Sequence, residues 1–458
     1  MDTDRASPDR LPRTLSWPHL LALGVGAIVG TGILTLIGVG AERAGPAVLL
    51  SFLVAGAISI CAALGYAELS TMIPAAGSAY TYSYIALGEI VAWIVGWSLV
   101  LEYSLAVGTV AVGWSGYAAP LLISLGFPAA LTRSAAIGGI VNLPAILIIV
   151  AVAALLMRGA RESARVNTVL VIVKIATLAL FVAVALPAFE AAHLEPFMPF
   201  GFGKTAGSDG IERGVMPAAA IIFFAYYGFD AISTAAEESV KPSRDLVIGI
   251  VGSLAICTLI YFSITVAAIG AVPFRSFADS PEPLALILRE LRQPGIARIV
   301  AIAAVITLPT VILAFLYGQT RVFLSMARDG FLPSGLTRVS ARGTPARVII
   351  VTATLVAVLA GIFPIAEIAA LANAGTLIAF AAVGLCLLVL RRKVPDAHRP
   401  FRTPAVWVVG LGAILGCAYL FSSLPPRTLL SCLSWNVAGL FVYFAYGRVR
   451  STLHTGAP

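Results

Sequence analysis

The chain has 458 residues, 59% of them hydrophobic and only 11% charged, with a mean hydropathy of +0.97. Soluble domains carry about 25% charged residues, so this balance excludes a soluble globular protein and predicts a polytopic membrane protein. The formal net charge of +8 does not point to nucleic acid, because the basic residues sit in short loops between apolar runs, with no basic face and no interleaved aromatics.

The first nineteen residues, Met1 to His19, are polar, and the apolar run that follows is too long for a signal peptide and has no cleavage site after it. That run, Leu20 to Gly40, carries no charge and is long enough to cross a hydrocarbon core of about 30 Å. Its middle is poorly suited to a helix. Gly24, Gly26, Gly30 and Gly32 crowd around Thr31, and each interior glycine costs about 1 kcal/mol of helix stability relative to alanine. Three readings compete. Gly24-x-Gly26-x-x-x-Gly30 superficially matches a dinucleotide fingerprint, but that motif belongs between a strand and a helix, a context missing here. Gly26-x-x-x-Gly30 can be a packing groove for a neighbouring helix. The third reading is an unwound first span whose freed N–H groups hold an anion, since irregular backbone at membrane depth survives only when buried in protein or lining a cavity.

Windows of about 20 residues predict twelve spans. They lie near residues 19–41, 47–72, 90–117, 141–157, 166–187, 214–236, 246–271, 298–325, 348–362, 366–390, 404–424 and 428–446. With both termini in the cytoplasm, most of the 30 basic residues fall in inner segments. These include Arg5, Arg10 and Arg13, then Arg158, Arg161 and Arg165, then Arg338, Arg342 and Arg347, then Arg391, Arg392 and Lys393, as the positive-inside rule requires. Residues 73–89, IPAAGSAYTYSYIALGE, are too polar to span and read as an interfacial segment on the inner side.

The sixth span carries a second irregularity, FFAYYGFDAIS, with Gly228 and Asp230 in mid-span and Glu237 and Glu238 near its inner end. Interruptions in the first and sixth spans predict an inverted-repeat transporter with its site between the two breaks. No residue identities repeat visibly between the halves, so matching breaks alone carry the repeat. The expected division is a cytoplasmic tail 1–18, a first five-helix repeat 19–187, an outer connection 188–213, a second inverted repeat 214–390, two C-terminal helices 391–446 and a cytoplasmic tail 447–458.

Ionisable residues inside spans are functional candidates by default. Lys174 stands in VLVIVKIATLALFV with no acid within four positions. It is either a proton-exchanging group or a static brace paired with carbonyls. Glu102, on the third span, is a second proton site, a counter-ion for a cationic substrate tip, or a packing partner. Glu68 and Asp230 are expected to satisfy local backbone or cap helices, and His19 to sit at the interface. The five cysteines show no metal-ligand spacing and read as small packing residues. No nucleophile–base pair or metal constellation can be read, which argues against an enzyme and against a cofactor.

Six collinear runs make the chain recognisable: GVGAIVGTGI (24–33), YAELSTMIPAAGSAYTYSYIALGE (66–89), GWSLVLEY (96–103), FFAYYGFDAISTAAEE (223–238), LYGQTRVFLSMARDGFLP (316–333) and HRPFRTPAVW (398–407). They resemble the amino acid, polyamine and organocation (APC) superfamily of secondary transporters, in particular bacterial members of its cationic amino acid transporter branch. The resemblance implies an all-α fold of twelve transmembrane helices, a five-plus-five inverted repeat with broken helices 1 and 6 and two further C-terminal helices, in a bacterial inner membrane.

By that resemblance the substrate carboxylate sits at Ile28, Thr31 and Gly32. Its ammonium meets carbonyls of Ile28 and of the 224–227 stretch, with Phe224, Ala225 and Tyr227 as site residues and Phe224 as an aromatic gate. Lys174 bridges helix 1 to helix 8 and couples protons to transport, with Glu102 as the second coupling candidate. Phe315 matches one wall of the side-chain pocket. A phenyl ring there takes space that a long side chain needs, and the helix 8 sequence offers no acid for a cationic tip. The expected function is proton-coupled import of small neutral L-amino acids. An exchanger or a cationic amino acid carrier is the alternative, and a transporter-like sensor a more distant one. The expected partners are an amino acid, protons and lipid, with no nucleic acid, no cofactor and no protein partner deducible.

Overall fold

A computed structural model of the chain describes residues 13–135, 138–207, 211–278, 280–333, 340, 344–363 and 365–450, with the side chains of 160–165, 206, 366 and 367 also left aside. Arg5, Arg10, Arg338 and Arg342, and the outer parts of both tails, lie outside the described residues, as do the side chains of Arg161 and Arg165. The protein is an all-α polytopic membrane protein. Among the described residues, nine helical stretches are long and apolar enough to cross a membrane, and three further apolar helices are shorter.

In chain order the first stretch is broken into α1 (Trp17–Ile28), α2 (Thr31–Leu34) and α3 (Leu36–Ala44), followed by α4 (Val48–Met72). A short α5 (Ala79–Leu87) precedes the 36-residue α6 (Glu89–Ser124), and α7 (Leu143–Met157) and α8 (Ala160–Ala185) close the first half. The connection that follows contains a two-residue antiparallel ladder pairing Thr205 with Arg213 and Ala206 with Glu212. The second half opens with another broken stretch, α9 (Val215–Ile222) and α10 (Asp230–Thr234), joined through a tight 3-10 turn at Phe223–Ala225. Then come α11 (Pro242–Ala271), two short helices α12 (Phe274–Phe277) and α13 (Pro283–Glu290), and α14 (Pro294–Thr307) running into α15 (Pro309–Arg328). Finally α16 (Ala346–Ile362), α17 (Ile365–Lys393), α18 (Val406–Ser422) and α19 (Pro426–Val442) complete the series.

Burial sorts these helices. The stretch 215–234 is wholly buried, whereas only 17% of the α19 window is, so the broken sixth segment lies at the centre and α19 at the periphery. The periphery is nonetheless tied in. Trp97 and Trp435 stack with ring centroids 4.8 Å apart, each indole N–H donating to the other's carbonyl, and Trp93 donates to the Gly439 carbonyl at 2.8 Å. An indole can bury its apolar body only if its N–H finds an acceptor, and α6 and α19 supply one another's.

In the segment 73–89, α5 packs on α6 and α17 with Tyr80 and Tyr82 buried and Ile85 exposed, and Tyr80 donates to Asp329 at 2.6 Å. One expectation changes: Glu68 caps no helix. It accepts from Arg391 (2.6 and 2.8 Å), Arg399 (3.1 Å) and the Thr403 N–H (2.7 Å), fastening α4 to the end of α17 and the turn beyond it.

Candidate functional site at the two helix breaks

α1 ends at Ile28 because Val29 turns to extended backbone (φ −76°, ψ 97°) and Gly30 leaves the helical region (φ −150°, ψ −144°). The first N–H groups of α2 therefore have no intrahelical acceptor. The second break centres on Gly228, whose φ of +118° a side chain rarely adopts, and Asp230 accepts from the Gly228 N–H at 2.9 Å. The breaks touch. A Cβ on Gly32 would fall onto the Ala225 backbone, and one on Gly228 would lie 2.8 Å from the Ala27 Cβ. The glycines thus serve both close packing and interruption of the helix, so the packing and unwinding readings describe one arrangement.

Side chains from other helices donate to backbone carbonyls beside the two breaks and to Asp230. From α8, Lys174 is buried and its ammonium donates to the carbonyls of Gly26 (3.1 Å) and Val29 and to the Thr310 hydroxyl on α15 (2.7 Å). Lys174 thereby bridges α1 to α15. Asn167, two turns earlier on α8, donates to the Ala22 carbonyl at 3.0 Å. From α11, the Tyr261 hydroxyl lies 2.5 Å from the Ile28 carbonyl and 2.8 Å from the Ala225 carbonyl, and its single proton can serve either. From α17, Asn373 donates to the carbonyls of Ala220 (3.0 Å) and Ile221 (3.3 Å). From α6, Tyr103 donates to Asp230 at 2.5 Å. Unwound carbonyls concentrate negative potential, which is why cationic and hydroxyl donors gather there.

Around this frame lie buried polar atoms with no hydrogen bond of normal geometry to any described residue: the Thr31 hydroxyl, the Tyr227 hydroxyl and both carboxyl oxygens of Glu102. Thr376 of α17 stands beside Glu102 and Tyr227. Such atoms cost about 1–3 kcal/mol each when left unpaired, a cost that a polar ligand between the breaks would relieve. Phe224 stands over Tyr227 with ring centroids 4.8 Å apart, and Phe315 lies 5.7 Å from both Tyr103 and Tyr227. Ile28, Thr31, Gly32, Phe224, Ala225, Tyr227, Phe315, Glu102 and Lys174 are all buried, so the site is closed in this state.

Below the site, Arg321 and Glu238 are buried together. Arg321 donates through Nε to Glu238 at 3.0 Å with its Nη2 2.9 Å from the same carboxyl oxygen as an ion-pair contact, Tyr317 donates to that oxygen at 2.6 Å, and the guanidinium lies 3.8 Å from the Tyr317 ring centroid. The Glu238 carbonyl accepts from Thr14 and Leu15, both at 2.9 Å, so the N-terminal segment is drawn into the same closure.

Sequence reasoning missed Tyr261, Thr310, Asn373 and Tyr103. Each is a polar-tipped residue inside an apolar run, a signal present in the sequence, but none reveals its partner without the fold.

A family profile described as amino acid permease matches residues 15–446. The chain is 44% identical over 451 residues to a branched-chain amino acid permease of Bacillus subtilis (strain 168), covering 97% of this chain and 95% of that protein. It is 40% identical over 450 residues to a methylthioribose transporter of the same organism, with the same coverage of both chains. It is 36% identical over 398 residues to the vacuolar cationic amino acid transporter 4 of Arabidopsis thaliana, covering 85% of this chain and 65% of that one.

Proposed function

The chain belongs to the amino acid permease family, within the APC superfamily of transporters, and from that premise we propose that it imports small neutral L-amino acids by proton-coupled symport. The observation that carries the reading is the ammonium of Lys174, tied to two carbonyls of the α1 break and to Thr310 of α15. A charge held between the interrupted helix and α15 couples any change in its protonation to the geometry of the site. The substrate carboxylate takes the N–H groups after Gly30 and the unpartnered Thr31 hydroxyl. Its ammonium takes carbonyls of Ile28 and of the 224–227 turn, sharing the position now held by the Tyr261 hydroxyl. Glu102 is the second group available to a proton.

The described helices fit twelve spans: α1–α3, α4, α6, α7, α8, α9–α10, α11, α14–α15, α16, α17, α18 and α19. In this reading residues 19–187 and 214–390 are inverted five-helix repeats joined by 188–213, and 391–446 adds the last two helices. Residues 1–18 and 447–458 are cytoplasmic tails, and the protein sits in a bacterial inner membrane.

Phe315 and its aromatic neighbours favour a neutral side chain over a cationic one; of the acids near them, Asp230 already accepts from Tyr103 and the Gly228 N–H, which leaves Glu102 to meet a cationic tip. The 44% relative, named for branched-chain amino acids, supports a second reading in which the same apolar wall receives valine, leucine or isoleucine. Uptake of labelled alanine, serine, threonine, leucine, arginine and lysine into proteoliposomes, with and without an inward proton gradient, tests class, substrate and coupling together. Gradient-stimulated uptake of alanine with arginine a poor competitor is expected. Counterflow without any response to the gradient would make the protein an exchanger. Phe315→Ser is expected to shift the competition profile toward longer side chains, and an unchanged size profile would remove Phe315 from the pocket.

A further inference from the structure

At the end of α17 and the turn into α18, a cavity of about 590 Å³ is lined by Arg391, Arg402, Thr403, Ala405, Trp407 and Val408. No residue of the substrate site lies here. The charge around it is unbalanced. Glu68 is the carboxylate shared by Arg391 and Arg399, so two guanidiniums are set against one acid. Arg402 is exposed and makes no ion pair or hydrogen bond with any described residue. Arg392 stacks on Trp407, its guanidinium carbon 4.6 Å from the ring centroid, which brings a further positive charge to the rim. The cavity also opens toward an apolar track. Trp407, Val408, Leu411 and Leu415 are all exposed on α18, and their spacing sets them along one face of the helix, leading away from the arginines.

We propose that this cavity binds the headgroup of an anionic phospholipid, its phosphate against Arg391 and Arg402 and one acyl chain along Val408, Leu411 and Leu415. The Arg402 guanidinium presents paired N–H donors that match phosphate oxygens, Arg391, whose Nε and Nη2 serve Glu68, adds its Nη1 and its charge, and an indole beside them suits the depth where headgroup meets hydrocarbon. A soluble anion would use the arginines but leave the apolar track idle. Basic pockets between helices at a membrane face are where charge and chain can be recognised together. The proposal rests on the orientation given above only in assigning the lipid to the cytoplasmic leaflet. Binding in detergent is independent of orientation and of transport, so either reading can fail without the other.

The test uses the full chain in a neutral detergent, titrated with dioleoyl phosphatidylglycerol, dioleoyl phosphatidylcholine, glycerol phosphate or inorganic phosphate. Retained lipid is read by native mass spectrometry and stability by thermal melting. Phosphatidylglycerol is expected to be retained and to raise the melting temperature, with phosphatidylcholine and both soluble anions ineffective. Arg402→Gln weakens phosphatidylglycerol retention about fivefold, as loss of one basic contact near a charged headgroup implies. Arg402→Glu weakens it further, while both variants melt with wild type in the absence of lipid. Arg448→Gln, which removes a basic residue elsewhere on the surface, leaves retention unchanged. Equal loss in Arg448→Gln, equal retention of phosphatidylcholine, or displacement of the lipid by inorganic phosphate would each overturn the site.

Discussion

Lys174 ties the α1 break to α15, because its three hydrogen bonds run to Gly26, Val29 and Thr310. Lys174→Ala removes the titratable group but keeps the glycine break. Accumulation driven by a pH gradient is expected to disappear in proteoliposomes, while calorimetry still detects amino acid binding. Wild-type accumulation by this variant would eliminate Lys174 as the coupling residue, and loss of binding as well would make it a brace. Tyr261 is the complementary case, a neutral donor placed between the Ile28 and Ala225 carbonyls. Tyr261→Phe preserves the ring packing against Tyr226 and Phe52 but strips one donor from two buried acceptors. It is expected to lower stability by about 1–3 kcal/mol. If the substrate ammonium uses those carbonyls, saturating substrate should raise the melting temperature of Tyr261→Phe more than that of wild type. An equal or smaller rise would separate the ammonium site from Tyr261.

At the level of elements, the broken stretches α1–α2 and α9–α10 work as a pair because their backbones come into direct contact. Gly32 faces the backbone of Ala225 with no room for a methyl group, and backbone cannot swing aside as a flexible side chain can. Gly32→Ala is expected to prevent a monodisperse folded protein, read by fluorescence-detected size exclusion. Gly116→Ala on α6 supplies the control. A Cβ there would meet only the Pro281 Cβ at 3.7 Å, an ordinary contact, so that variant should elute with wild type. The elements also explain why α5 is buried. Its Tyr80 and Tyr84 rings pack on Phe331, with centroids 6.2 and 6.1 Å apart, and Tyr82 packs on Tyr66 of α4 at 6.2 Å.

Across the whole molecule, the Arg321–Glu238 pair joins α15 to the end of the α9–α10 stretch, where the Glu238 carbonyl also holds the N-terminal segment. Removing one member of a buried ion pair leaves an uncompensated charge and costs about 3–5 kcal/mol. Glu238→Gln should therefore favour states in which α15 and α10 separate and water reaches Arg321. The readout is alkylation of a cysteine placed at buried Ser325, in a protein whose five native cysteines are replaced. Faster labelling than in the Glu238 parent is expected, with the difference reduced by substrates that favour the closed state. Equal labelling rates would show that the pair is not a gate.

What the sequence determined by itself is what depends on local chemistry. Hydropathy alone defines apolar segments, a cluster of glycines weakens a helix wherever it occurs, and a lysine with no acid nearby has to find distant partners. Hence the membrane class, both helix breaks and Lys174 as an in-span charge that needs distant partners were legible, as were Gly228 and Asp230 as a mid-span irregularity. What tertiary structure decided is which residues meet. Tyr261 lies 233 positions from the Ile28 carbonyl it approaches, and Glu68 lies 323 positions from Arg391, so no spacing rule connects them. The same holds for α5, whose polar and aromatic composition names no partner and whose buried face is set by packing on α6 and α17. Packing of helices from distant parts of the chain chose these partners, since a buried donor or acceptor is satisfied by whatever the fold brings within 3 Å or so, irrespective of sequence distance.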